Sequence, residues 1–71
     1  MINIPIVFTI DYKFLPPAYI AIDSLIKNAD DTTKYDIHVL YNGVIDKKVN
    51  LLKRNIKGTR HNMVIHDVSK L

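Results

Sequence analysis

The side chains able to do chemistry in this 71-residue sequence are few, and their spacing excludes more than it offers. There is no cysteine, so thiolate nucleophiles, thiolate metal sites and a disulfide scaffold are all ruled out. His38, His61 and His66 match no ligand motif of a structural zinc site, which takes four protein ligands. They read as two satisfied strand histidines and one loop histidine, with His38 and His66 on neighbouring strands. Ser24 and Ser69 have no base at a recognisable spacing, and no nucleophilic triad can be argued from them. Gly43 and Gly58 are the only glycines, too few for a G-x-G-x-x-G turn or a Walker-type phosphate loop. The aspartates form no Asp-x-Asp pair: Asp30 and Asp31 are adjacent and the others isolated.

One candidate remains, Asp11 at the end of the first apolar run, with Tyr12 and Phe14 close behind it. A carboxylate at Asp11 can accept a hydrogen bond from a base N–H or a ribose hydroxyl. An aromatic ring at Phe14 or Tyr12 can stack on a base, an interaction worth about 1–3 kcal/mol in nucleic-acid systems. The same residues have a plain structural use, with Asp11 capping a turn and Phe14 in the core.

The elements that must position this cluster follow from the hydrophobic pattern. PIVFTI at 5–10 is an unbroken apolar run rich in β-branched residues, the signature of a strand covered on both faces. Pro16 and Pro17 suit the first turn of a helix, and Ala18, Ile22, Leu25, Ile26 and Ala29 recur at helical spacing, predicting a helix over 16–28. The two prolines also remove amide N–H groups that an anion at this helix N-terminus would need. Residues 29–34 read as a polar loop, 35–41 as a second strand, and Asn42-Gly43 as the turn that ends it. Asp46 is placed to N-cap a second helix with Val49, Leu52 and Ile56 on its apolar side and Gly58 just past its end. A third strand is expected over 62–68.

Strand, helix, strand, helix, strand implies parallel strands joined by right-handed crossovers, an α/β half of a doubly wound, Rossmann-like sheet. In the order 3-2-1 both helices lie on one face and the first strand lies at an edge. A strand so apolar at an edge invites pairing, so either more chain or a partner, including self-association through that strand, is expected beside it.

Composition agrees with one small domain over residues 1–71: 48% hydrophobic, 24% charged, with a net charge of +3. A chain this short buries only about 60% of its unfolded surface, so its stability is expected to be marginal. No apolar run reaches the ~20 residues of a membrane span, and no signal-peptide pattern opens the chain, which points to a cytoplasmic location. The basic stretch from Lys47 to Arg60 lacks interleaved aromatics and carries an ordinary apolar side, so it reads as a solvated face and not a nucleic-acid site.

The string IVFTIDYKFLPPAYIAIDSLIKNA resembles the opening of glycosyltransferase family 8, retaining enzymes that include lipopolysaccharide galactosyl- and glucosyltransferases. Ile6 to Asp11, Pro16, Pro17, Ser24, Leu25 and Asn28 carry the resemblance; YDIHVLYNGV resembles the family's second strand and turn, and MVIHDVS its third strand. The match runs in order over nearly the whole chain. It implies a nucleotide-binding subdomain of an A-type glycosyltransferase fold, in an enzyme moving a hexose from a UDP-sugar to a glycan or lipid-linked acceptor. Asp11 would hydrogen-bond the uracil, Phe14 would stack on it where the family usually has Tyr, and Thr9 and Ile10 would line the base pocket with their backbone. Lys13 stands where the family often has Asn and could reach a phosphate. The family also implies Mn2+ held by an Asp-x-Asp pair after a fourth strand and a later His. This chain has no such pair, so these 71 residues alone are not expected to transfer sugar.

Overall fold

The computed structural model describes residues 1–69. Strand β1 (Ile2–Asp11) leads through a 3-10 turn, Tyr12–Phe14, into helix α1 (Leu15–Lys27). Strand β2 (Thr33–Asn42) follows, then a short helix α2 (Lys47–Asn50) continued by a 3-10 turn, Leu51–Lys53, and strand β3 (Asn62–Asp67). The sheet order is β1-β2-β3 and both pairings are parallel. The chain is therefore α/β with a three-stranded parallel sheet and two helices.

Alternation along β2 divides the sheet into two faces. Ile37, Val39 and Tyr41 are buried, and they share one core with Ala18 and Ile22 of α1 and with Val49, Leu52 and Ile56. A single core fed by both helical segments places them on the same side of the sheet, as the 3-2-1 order requires. Ile6, Phe8 and Ile10 of β1 and Met63 and Ile65 of β3 complete it from the flanks. The other face carries no helix among the described residues. It is laid out in rows by the register: Pro5, Asp36 and Asn62; Val7, His38 and Val64; Thr9, Leu40 and His66.

Three features differ from the sequence expectation. β1 begins at Ile2 instead of residue 5, because an edge strand accommodates Pro5. The Ile2 N–H donates to the Thr32 carbonyl at 2.6 Å. Carried through the register, that phase turns the backbone groups of the even residues toward β2 and those of Asn3, Pro5, Val7 and Thr9 toward the free edge. The missing N–H of Pro5 thus falls where no ladder bond is lost. The second helix is one α-helical turn plus 3-10 and looser turns, not a helix over 46–57. Local propensity is not the cause, since seven of residues 47–57 are Lys, Leu or Arg; the packing of Val49, Leu52 and Ile56 into the common core overrides it. Asp46 nevertheless caps it as expected, its Oδ1 accepting from the Lys48 N–H at 2.9 Å and the Val49 N–H at 3.2 Å. Finally, β1 is less deeply covered than its apolar run suggests: its helix-side residues are only half-buried and Val7 is 62% exposed.

The 3-10 turn and α1 explain how the candidate cluster is held. Asp11 is extended and its Oδ1 accepts from the Lys13 N–H at 2.9 Å, which closes the turn. The pair Pro16 and Pro17 then opens α1 without interrupting a hydrogen bond.

Candidate functional site

Asp11 of β1 and Asn42 of β2 are register partners at the carboxyl ends of their strands. In open parallel sheets this is the end at which ligands bind. Thr9, Ile10, Asp11, Phe14 and Asn42 line one shallow depression of about 190 Å³ there. The structure therefore brings together four of the five residues singled out from the sequence. The fifth, Lys13, is exposed on the adjoining turn and lines none of the described cavities near it. Thr9 projects from the helix-free face, Ile10 from the helix face, and Asp11, the last residue of β1, is half-buried.

Asp11 does cap the turn, so one carboxylate oxygen is engaged by backbone. Phe14 is not core: it is 56% exposed. An aromatic ring left that open beside a half-buried carboxylate has area available for stacking. Phe14 also borders a second, apolar groove of about 270 Å³ along the free edge of β1, formed with Phe8, Pro17 and Ala21.

On the other side of Tyr12 lies a larger cleft of about 730 Å³, between the start of α1 and α2. Tyr12, Leu15, Tyr19, Tyr41, Asp46 and Lys48 contribute to its wall. The Tyr19 hydroxyl donates to the Leu51 carbonyl across it and ties the two helices together. Tyr41 is buried, and the Tyr41 phenol is pushed upward, first by burial and then by the carboxylates of Asp46 and Asp11. Sequence reasoning missed this cleft and missed Asn42 as a wall of the smaller one. Only the β1–β2 register sets Asn42 opposite Asp11, and nothing in the local pattern of either strand reports register.

The turn after β2 is held by Gly43, whose φ is +152°. A Cβ there would lie 2.9 Å from the Tyr41 ring. The smaller depression and the larger cleft thus flank a turn that accepts no side chain without movement of Tyr41.

The three histidines are all engaged. His61 is buried and its Nδ1 accepts the Tyr35 N–H at 2.9 Å. His38 and His66 meet on the helix-free face, Nδ1 to Nε2, at 3.0 Å. Among the described residues, no group of three or more His, Cys, Asp or Glu converges on a point that could hold a metal ion. The basic side chains Lys47, Lys48, Lys53, Arg54 and Lys57 are exposed, whereas Arg60 turns inward. Its Nε donates to the Thr33 carbonyl at 2.6 Å and its Nη2 to the Asp30 carbonyl, pinning the turn before β2. Among the described residues, no helix is long and apolar enough to cross a membrane.

Comparison with protein-family models, with curated proteins and with solved structures gave no match for this chain.

Proposed function

We propose that this chain is the N-terminal nucleotide-binding part of a retaining hexosyltransferase resembling glycosyltransferase family 8, using a UDP-sugar donor. The observation that carries the reading is the gathering of Thr9, Ile10, Asp11 and Phe14 around one depression at the carboxyl end of β1, with the Phe14 ring left open. The parallel β1-β2-β3 order supports it too, as one half of a Rossmann-like sheet. Uracil would stack on Phe14 while Asp11, already fixed by the Lys13 N–H, accepts from the base N3–H with its remaining lone pairs. Lys13 would meet the diphosphate. A resident Mn2+ would neutralise the leaving diphosphate in such an enzyme, and its ligands are expected outside these 71 residues.

The test is a proton–nitrogen correlation spectrum of the labelled chain titrated with UDP, with and without Mn2+. Shifts centred on residues 9–14 and 42 are expected, and Asp11→Ala should abolish them. A folded chain whose spectrum stays unchanged at millimolar UDP would overturn the reading.

A second reading, a non-catalytic module that adds a strand at β1, is favoured by one specific observation. The free edge offers the outward N–H and C=O groups of Asn3, Val7 and Thr9, and no charged residue lies between Ile2 and Ile10 to discourage pairing. Sedimentation at increasing concentration distinguishes a self-pairing chain from a monomer.

A further inference from the structure

We infer that His38 and His66 form a two-imidazole binding site for a borderline divalent transition ion such as Zn2+, on the sheet face opposite the helices. This inference is independent of the nucleotide reading and uses none of its residues.

The pair is built by the β2–β3 register. His38 stands opposite Val64, and His66 stands opposite Leu40, so the two rings approach along the diagonal between adjacent strands on the same face. Their facing nitrogens, His38 Nδ1 and His66 Nε2, are 3.0 Å apart. The ring centroids lie 5.3 Å apart and the planes differ by 20°. An imidazole nitrogen sits about 1.1–1.2 Å from its ring centre, so most of the centroid separation is taken up by the nitrogens pointing at one another. The contact is therefore an edge-to-edge N–H···N hydrogen bond and not a face-to-face stack.

That spacing is also the one a metal ion requires. With Zn–N bonds of about 2.0–2.1 Å, two nitrogens on one ion are about 2.9 Å apart at a right angle and about 3.4 Å apart at the tetrahedral angle. The observed separation falls between the two. Both strands are already paired, so the backbone cost of bringing the ligands together has been met by the sheet. Only ring rotation is needed to aim the two lone pairs at a common point beside the present hydrogen bond.

The protons balance simply. In the neutral pair one facing nitrogen carries the shared proton, and chelation needs both bare. The donor ring shifts that proton to its other nitrogen through water, leaving His38 protonated at Nε2 and His66 at Nδ1, with no net release. If either ring is protonated first, that proton must leave, so binding weakens in acid.

The pair lies on the helix-free face, and an open depression of about 370 Å³ reaches His38, though not His66, from the side of Asp36 and Asn62. Both histidines are half-buried, which leaves room for waters to fill the other coordination positions. Asp36 lies one row away on the same face, with its Oδ1 accepting from the Asn62 side chain at 3.3 Å. Val7 and Val64 flank His38 in its row and are 62% and 46% exposed, so they shape the site without offering a donor. His61 cannot substitute, because it is buried and its Nδ1 is committed to the Tyr35 N–H. Imidazole pairs suit Zn2+, Ni2+ and Cu2+, and do not suit Mg2+ or Ca2+, which prefer oxygen.

The experiment is a titration of the full 71-residue chain with Zn2+ alone at neutral pH, followed by calorimetry and by the nitrogen shifts of the histidine rings. One ion per chain is expected, with the His38 Nδ1 and His66 Nε2 resonances moving together and those of His61 unmoved. His38→Ala and His66→Ala should each weaken binding by about tenfold or more, since one imidazole leaves a single-ligand contact. His38→Gln and His66→Gln, checked for native amide dispersion, repeat the comparison if an alanine variant fails to fold. Binding that survives both substitutions, a ratio of one ion per two chains, or no binding at millimolar Zn2+ would each overturn the proposal.

Discussion

The Tyr35 backbone N–H donates to Nδ1 of His61 at 2.9 Å, across the gap between β2 and the loop that leads into β3. The two rings also lie against each other, with centroids 5.4 Å apart and planes inclined by 28°. This bond fixes the tautomer: Nδ1 is the acceptor, so the proton of neutral His61 is on Nε2. A second proton at Nδ1 would break the bond and leave a charge in a buried position.

Acid should therefore destabilise the fold through His61. Burial, with the neighbouring Arg60 charge adding to it, holds the His61 imidazole below its ordinary pKa. With the folded value depressed, both states are neutral above about pH 6.5 and His61 contributes no pH dependence there. As pH falls below that point the unfolded chain takes up the proton first, and stability is lost until the folded value is passed. Asp30 acts in the same direction at lower pH. The hydroxyls of Thr32 and Thr33 and the Thr32 N–H hold its carboxyl below the usual range, so its contribution is lost as that carboxylate protonates. Urea melts from pH 7.5 to 3.5 should show a falling midpoint. His61→Gln should flatten the upper part of the fall, leaving that due to Asp30.

Tyr41 should titrate above free tyrosine. Its ring is buried between the helices and the sheet, and Asp46 and Asp11 add negative charge nearby. Ultraviolet absorbance during alkaline titration, compared with that of Tyr41→Phe, should show the Tyr41 phenol ionising above free tyrosine. Asp46→Asn should move that phenol down while loosening the cap of α2, and a Tyr41 phenol that ionises like free tyrosine would contradict the burial.

Ile22→Ala should come close to unfolding the chain. Ile22 is 1% exposed and links α1 to the one core fed by all three strands. Truncating a buried Ile to Ala costs about 2–5 kcal/mol, a large part of what a domain this small can hold. Ile20→Ala is the control from the same helix: Ile20 is 72% exposed, and its loss should change the melting midpoint little.

Gly43→Ala should be destabilising by about 1–3 kcal/mol, the usual cost of forcing a side chain into a sparsely populated backbone region. The φ of +152° and the 2.9 Å approach of a Cβ to the Tyr41 ring act together. Gly58→Ala separates the two causes. Its φ is +80°, but no atom lies within 4 Å of the added Cβ, so only the backbone term remains. Thermal melts of both variants should show the larger loss at Gly43.

Phe14→Ala should leave stability nearly unchanged, because the ring is more than half exposed. On the nucleotide reading it should weaken UDP binding by the equivalent of about 1–3 kcal/mol of lost stacking. Equal affinity in the two proteins would separate Phe14 from the site.

The sequence by itself determined the order of elements, their parallel connection and the face on which the helices lie. These follow from local periodicity and from the handedness of crossovers, which short-range sterics impose. It also marked Asp46 as a cap and offered Asp11 as either a cap or a ligand acceptor, since an Asp at an element's start bonds the N–H groups that follow it. Tertiary structure decided what depends on register and depth. Whether Asp11 faces Asn42 and whether His38 meets His66 turn on how separate strands align, and a shift of one residue would undo both pairings. Whether Phe14 is core or open is a matter of depth, set by how the turn before α1 lies on the sheet. It decided Arg60 as well. In the chain it is one more cation in a basic stretch, and only the approach of the 30–33 turn gives its guanidinium two carbonyls to hold.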